Sequence, residues 1–404
     1  MSFISVEEAL RIIEEAPCLG RTERVSVFGC SGRTAAEDVV SAMDQPPFDR
    51  SPLDGFAFRS ADVTGASAQH PARLQQVGYV PAGCGETFSV GPGECVRIMT
   101  GGRIPADCDA VVGIEDADYA ECCDCDGAME VLIRKAVGHL QNYVFAGEDF
   151  SKGTVLCRKG QKIDAAMAAC LSAAGVPDVE VYARPEVYVL STGSEICRPG
   201  EPLAEGKIYD SNAVYLSSRL RELGCSCKTE WASDDEALLK KMLQDNMELH
   251  PLILTTGGVS VGDLDLMPKV LKDLGAEVLF HGVDLKPGSP LLLARFGACH
   301  ILCLSGNPFA AAATFELFAR PLLSALSGED ICMQAFRAPL AEEFRKTASV
   351  PRYVRANLID GKLYVPASHS SGRLLTLSGC DCLVKIPAGE TSLPAGTVAE
   401  AYRI

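Results

Sequence analysis

Residues 252–275 read LILTTGGVSVGDLDLMPKVLKDLG. An apolar run rich in β-branched residues, LILTTGG, opens a glycine-rich loop, and LMPKVLKDLG then has helical spacing. A strand, a loop and a helix in that order predict one unit of an α/β sheet. The same rhythm extends outward over 181–325. Strand EVYVLSTGSEI, helix SNAVYLSSRLRELG, strand CSCKTEWA and helix DDEALLKKMLQDN precede it. Strands EVLFHGV, PLLLAR and HILCLSGNP and helix FAAAATFELFARPLL follow. The alternation predicts a largely parallel sheet with helices on both faces, whose ligands sit beyond the carboxyl ends of the strands.

Four loops at those ends are rich in Gly, Ser, Thr, Asn and acids: Ser191-Thr-Gly-Ser-Glu195, Asp210-Ser-Asn212, Thr256-Gly-Gly-Val-Ser-Val-Gly-Asp263 and Ser305-Gly-Asn-Pro308. The first, third and fourth follow strands and Asp210-Ser-Asn212 opens a helix, so they could converge on one ligand. Backbone N–H groups freed by Gly257, Gly258 and Gly262 can bind an anion without a charged side chain. Asp263 and Asp265 would repel a bare phosphate but suit a magnesium ion that bridges carboxylate and phosphate oxygens. The plainer alternative is a tight turn at Gly257-Gly258 with an aspartate capping the next helix. The loop has neither the GK[ST] of a P-loop nor the GxGxxG spacing of a dinucleotide site. Lys286, in DLKPGSP (284–290), could offer a point charge to an oxyanion, or simply be solvated.

The 404 residues carry 37 Lys and Arg against 53 Asp and Glu, a net charge of −16 that disfavours nucleic acid and anionic membranes. The N-terminus MSFISVEEALRIIEEAP lacks the features of a signal peptide, and no window reads as a run of about 18 apolar residues, so a soluble cytoplasmic protein is expected. Ser5 and Glu8 cap a first helix over residues 5–17. Residues 46–139 change to short strands between Gly and Pro turns, a β-rich domain that carries Asp49, Asp54, Thr100, Gly101 and Gly102 in its turns. Residues 160–176 form an alanine-rich helix capped by Asp164 and ended by Gly175. Past residue 330, Asp360-Gly361 marks a hairpin in a small β-domain. The 18 cysteines are scattered as small hydrophobes, and Cys122-x-x-Cys125 reads as a turn ahead of Asp126-Gly127 because no second ligand pair accompanies it. The six histidines show no ligand spacing.

Taken in order, RTAAEDVVSAMDQPPFDRSPLDGFA (33–57), GPGECVRIMTGGRIPADCDAVVGIED (91–116), AGEDFSKGTVL, RPEVYVLSTGSEI, GKIYDSNAVYL, TTGGVSVGDLD, KPGSP and LSGNPFAAAATF resemble the molybdopterin molybdenumtransferase family, bacterial MoeA and the E-domain of gephyrin. VPRYVRANL and SSGRLLTLSGCDCLVKIPAG near the C-terminus are similar too. The resemblance implies a multidomain α/β plus β fold. Its parts would be an extended linking domain (1–45 and 140–180), a β-rich domain (46–139), a molybdopterin-binding α/β domain (181–325) and a C-terminal β-barrel (326–404). It implies a homodimer that inserts molybdate into adenylylated molybdopterin and releases AMP with the help of Mg2+, with the molybdopterin adenylyltransferase as a further possible partner.

By motif, the resemblance assigns catalytic roles to Asp54, Thr100, Asp149, Glu195, Asp265 and Lys286, and metal binding to Asp234 or Asp235 with Asp265. The pterin pocket would draw on Thr192, Gly193, Ser194, Asp210, Ser211, Asn212, Gly257, Gly258, Ser260, Gly262, Asp263, Ser305, Gly306, Asn307 and Pro308. Departures are present: Val144, Phe145 and Ala146 replace an arginine group, and Gly282 and Ser289 replace lysines. Three readings therefore stand: an active insertase with altered anion contacts, a paralogue that binds the pterin without inserting metal, and a non-catalytic dimeric scaffold.

Overall fold

The computed structural model describes residues 3–17, 20–119, 129–259, 266–346, 349–368, 370–389 and 392–404. The Cys122–Cys125 cluster and the Asp126-Gly127 turn lie outside these residues, as do Ser260, Gly262, Asp263 and Asp265. The chain divides into two compact units, residues 1–23 with 181–404, and residues 24–180.

In the first unit, strands β1 (Val187–Thr192), β2 (Cys227–Ala232), β3 (Leu252–Thr256), β4 (Glu277–His281), β5 (Leu292–Phe296) and β6 (Cys299–Leu304) form one sheet in the order β2-β1-β3-β6-β5-β4. The pairs β2/β1, β1/β3 and β3/β6 are parallel, whereas β5 is antiparallel to both its neighbours. The sheet is thus largely parallel, as expected, with one antiparallel strand, because short connections join β4 to β5 and β5 to β6 with no helix to carry a crossover.

Helices α1 (Asn212–Glu222), α2 (Glu236–Met247), α3 (Met267–Asp273) and α4 (Pro308–Ser327, with a π-helical segment at Phe315–Ala319) cover the sheet. Alternation along β1 explains its unbroken apolar run. Val187 and Val189 pack with Leu216 and Leu220 of α1 and the α4 side chains, while Tyr188 and Leu190 pack with Leu239 and Leu243 of α2 and Val270 of α3. The N-terminal helix Val6–Glu14, whose Ser5 hydroxyl accepts from the Glu8 N–H at 3.0 Å, adds Val6, Ala9 and Ile13 to the α4 side of this core. The stretch Pro308–Ser327 does have the length and apolar composition to cross a membrane, and 78% of its most apolar window is buried in the fold, so its hydropathy reflects a core helix.

The C-terminal strands Ala335–Pro339, Arg352–Ile359, Lys362–Tyr364, Cys382–Ile386 and Val398–Arg403 make a five-stranded antiparallel sheet. It curls until Leu340 bridges Leu363, giving a half-barrel. Asp360 and Gly361 turn its hairpin with φ of 48° and 73°, as a primed two-residue turn requires.

In residues 24–180, a six-stranded sheet runs in the order Ala110–Gly113, Gly55–Phe58, Glu94–Ile98, Ala72–Val80, Met129–Ile133, Ala117–Asp118, with one parallel pair between Ala72–Val80 and Glu94–Ile98. A short ribbon of Val39–Val40 and Val155–Cys157, and the helix Ala165–Ala173 capped by Asp164, complete the unit.

Candidate functional site

Three strand ends of the α/β sheet are knotted together by buried hydroxyl and amide groups. The Thr192 hydroxyl donates to the Thr256 carbonyl at 3.2 Å, and the Thr256 hydroxyl to the Ser305 carbonyl at 3.2 Å. The Asn212 side-chain amide bridges the Thr256 hydroxyl and the Gly306 carbonyl at 2.8 Å each. The four Gly/Ser/Asn-rich loops therefore do converge, and the groups that bind them to one another are themselves out of solvent.

Gly257 shows why the loop needs glycine. Its φ is +95°, and a Cβ there would lie 2.3 Å from the Thr192 carbonyl oxygen. Gly258 follows at φ +62°. Two such residues in succession turn backbone toward the space beyond β3 rather than toward the sheet.

That space is a cleft of about 830 Å³ lined by Glu195, Gly257, Gly258, Lys286, Ser305, Gly306, Asn307 and Pro308, among others. Helix α4 begins on its wall. The Phe309 N–H is given to the Ser371 carbonyl at 3.0 Å, so the positive helix end faces the cleft with part of its donor set already used.

Other expected residues support the loops without lining the cleft. Asp210, 4% exposed, accepts from the Ala213 N–H at 3.0 Å and the Trp231 indole N–H at 2.7 Å, which fixes the start of α1. Ser211 precedes α1, and its carbonyl accepts from Tyr215. Asp234 accepts from the Ser194 N–H at 2.8 Å, while the Asp234 N–H donates to the Ser194 hydroxyl at 3.2 Å. Lys207 donates to the Ser194 carbonyl. Asp235 caps α2 by accepting from the Leu238 N–H at 2.8 Å. Gly193, with φ +146°, leaves room for the Glu195 carboxylate, which a Cβ would meet at 2.7 Å. Among the described residues no three His, Cys, Asp or Glu side chains gather as a metal site. Asp265, named with Asp234 or Asp235 for that role, lies outside them.

The sequence reading missed the contribution of the C-terminal domain. Lys346, Arg352, Tyr353, Ser370 and Ser371 line the same cleft. They arrive because the Lys286 N–H donates to the Pro351 carbonyl at 2.9 Å and the Tyr353 N–H donates to the Lys286 carbonyl at 2.7 Å. Arg355 lies fully buried behind this wall. Its guanidinium sits 4.1 Å above the Phe309 ring and donates to the Ser370 carbonyl at 3.0 Å, and burial lowers its pKa from the ordinary arginine value. VPRYVRANL and the SSG turn carried this information, but both read as ordinary strand and turn. Among the described residues, Lys286, Lys346 and Arg352 face the cleft with Glu195.

The departures have physical reasons. Gly282, with φ +97°, lies under Phe3, whose ring a Cβ would meet at 2.3 Å, so a lysine there would have to displace that ring on a strained backbone. The Ser289 hydroxyl is spent on the Leu285 carbonyl at 2.5 Å.

In the other unit, Asp54 and Thr100 meet: the Thr100 N–H and hydroxyl both donate to one Asp54 oxygen at 2.7 Å. These two bonds hold the exposed Asp54 carboxyl below its ordinary value. Asp149 is exposed on the same unit, its N–H bonded to the Gln45 carbonyl at 3.0 Å.

With this geometry in place, three sequence families match the chain: the "MoeA N-terminal region (domain I and II)" over residues 4–175, the "Probable molybdopterin binding domain" over 188–325 and the "MoeA C-terminal region (domain IV)" over 337–404. A molybdopterin molybdenumtransferase of Staphylococcus aureus is 34% identical over 401 residues, covering 97% of this chain and 94% of its own length. One of Staphylococcus epidermidis is 31% identical over 407 residues, with 98% and 94% covered. The crystal structure of a molybdopterin biosynthesis MoeA protein from Pyrococcus horikoshii superposes with a TM-score of 0.86 at 31% identity, over 100% of this chain and 99% of that one.

Proposed function

Because the chain belongs to the molybdopterin molybdenumtransferase family, we propose that it inserts molybdate into the dithiolene of adenylylated molybdopterin and releases AMP, as a step of molybdenum cofactor biosynthesis. The observation that carries this reading is the cleft at the carboxyl ends of β1, β3 and β6, where backbone donors and three cations face one space.

Each part has a task that its chemistry suits. Gly257, Gly258 and the start of α4 present backbone to the terminal phosphate of the pterin, with Asn307 and Pro308 shaping the wall. Lys286 and Arg352 draw the oxyanion into the cleft, a role in which Arg352 offsets the lysines absent at 282 and 289. Glu195 is the acid that faces the cleft, and Asp54, Thr100 and Asp149 take the catalytic roles implied by their motifs. Asp54 is suited to act as an anion because Thr100 keeps it ionised.

Mg2+ fits the donor set as far as the described residues go. Asp234 and Asp235 each give only part of their carboxylate to backbone N–H groups and so retain hard oxygen donors. They would hold the ion together with Asp265. When bound, Mg2+ would neutralise charge on the phosphoanhydride. A homodimer is part of the same reading.

Binding can be measured separately from turnover. Lys286→Gln should weaken molybdate binding at least tenfold in a calorimetric titration while the protein melts within about 2 °C of wild type, since an exposed loop side chain adds little to the core. Unchanged affinity would remove Lys286 from the oxyanion site.

A further inference from the structure

Arg50 occupies the middle of three aligned segments in the β-rich unit. It bridges antiparallel to Val144 on one side and to Arg103 on the other. Toward Val144 the two residues exchange both bonds, Arg50 N–H to Val144 carbonyl at 2.9 Å and Val144 N–H to Arg50 carbonyl at 3.1 Å. Toward Arg103 the bonds fall on the flanking residues, Ser51 N–H to Gly102 carbonyl at 2.9 Å and Ile104 N–H to Asp49 carbonyl at 3.0 Å. Arg50 and Arg103 are therefore a non-hydrogen-bonded pair, the position where opposite side chains come closest, with Cα atoms about 4.5 Å apart.

Residues directly opposite each other share a face, so both arginines project on the face of Val144. Like charges placed so are destabilising on their own. The acids near them form no bond to either arginine among the described residues. Asp49, which lines a cavity of about 320 Å³ together with Glu86 and Arg103, gives its two oxygens to the Tyr143 hydroxyl at 2.7 Å and the Ala146 N–H at 2.8 Å. Neither arginine side chain has a hydrogen bond or ion pair among the described residues. Arg50 is also half-buried, which makes its unneutralised charge more costly than a surface one.

The pair sits at the foot of the Asp54 and Thr100 turns. Ser51, next to Arg50, accepts from the Gly101 N–H at 2.8 Å, and Asp54 lies three residues further on. Val144, moreover, is one of the positions at which a cationic group is absent from this chain. Two cations on that face, on loops fixed by backbone bonds, make a site complementary to a tetrahedral oxyanion, since guanidinium groups bind such oxygens in bidentate fashion.

We propose that Arg50 and Arg103 form an oxyanion clamp that takes a phosphate group or a molybdate ion. That the anion belongs to a substrate rests on the function proposed above, whereas the clamp itself does not.

The test uses the full chain and two probes, inorganic phosphate and molybdate, titrated calorimetrically in chloride buffer of constant ionic strength. It is run on wild type, Arg50→Gln, Arg103→Gln, the double variant and Lys286→Gln. The expected result is two separable oxyanion events in wild type. One is at the clamp, which each arginine variant weakens at least tenfold, the double variant weakens little further because one ligand is shared, and Lys286→Gln leaves in place. The other is at the α/β cleft, which Lys286→Gln weakens and the arginine variants leave in place. In anion-free buffer the single variants should melt no lower than wild type, because repulsion is relieved, and the melting-temperature gain on adding the oxyanion should shrink in them. Preference for phosphate would mark a substrate phosphate as occupant, and preference for molybdate the free oxyanion; either supports the clamp. Equal oxyanion affinity in wild type and in folded arginine variants overturns it. Wild type that fails to turn over yet binds the oxyanion through both arginines would overturn the proposed function and leave the clamp standing.

Discussion

Gly257 packs its backbone against β1 at the mouth of the cleft. A methyl group there meets a backbone oxygen at 2.3 Å on a backbone with φ +95°, so Gly257→Ala must move either the loop or β1. The expected outcome is loss of pterin binding with a stability cost of about 1–3 kcal/mol, read from ligand titration and urea unfolding. Gly282 is legible only in the structure. Its replacement of a lysine suggests lost activity in the sequence, but the Phe3 ring stacked against it makes Gly282→Lys a destabilising change rather than a restoration. Melting temperature and molybdate affinity of that variant check this, and a variant as stable as wild type with tighter binding would refute it. Asp54 adds a pH prediction. Its folded pKa is depressed by the two Thr100 bonds, so their contribution is present above the ordinary aspartate value and is lost as pH falls through the lowered one. Thr100→Val removes the hydroxyl bond and should move the Asp54 carboxyl resonance back toward the ordinary value in an NMR titration.

At the scale of elements, the helix α4 shows what pattern alone conveys. FAAAATFELFARPLL reads as a helix from its spacing, and its N-terminal place beside SGNP is legible as a site wall. The acid in its middle is not. Glu316 is 1% exposed in the π-helical segment and accepts from Arg219 at 2.7 and 3.2 Å, from Arg320 at 2.9 Å and from the Tyr215 hydroxyl at 3.1 Å. Arg320 also donates to the Ile331 carbonyl at 2.8 Å, so the cluster ties α1, α4 and the segment leading to the half-barrel. Glu316→Gln removes the buried anion shared by Arg219 and Arg320, leaving Arg219 with only the exposed Glu222, and should lower unfolding free energy by about 3 kcal/mol or more. A loss under about 1 kcal/mol, as for a surface pair, would show that the cluster is not a buried network in solution. The strands were legible because both faces of the sheet are buried, whereas the antiparallel insertion of β5 follows from hydrogen-bond register, which no window of sequence contains.

For the whole molecule, the sequence order of motifs was enough to expect a multidomain α/β plus β protein, since each loop names its own neighbourhood. It was not enough to place the half-barrel against the α/β cleft. That contact depends on Lys286 pairing with residues more than sixty positions away, and it brings Lys346, Arg352 and Ser371 to a wall expected to be short of cations. The Arg50 and Arg103 pairing was hidden for the same reason, with fifty-odd residues between partners that register makes adjacent. The central claim is that this cleft performs metal insertion despite the glycine and serine at positions 282 and 289. The most direct measurement supplies adenylylated molybdopterin, molybdate and Mg2+ to the purified protein and follows AMP and metal-loaded cofactor together. AMP and cofactor should appear in equal amounts over many turnovers, and both should fall together in Lys286→Gln. Tight pterin binding with neither product formed would contradict it.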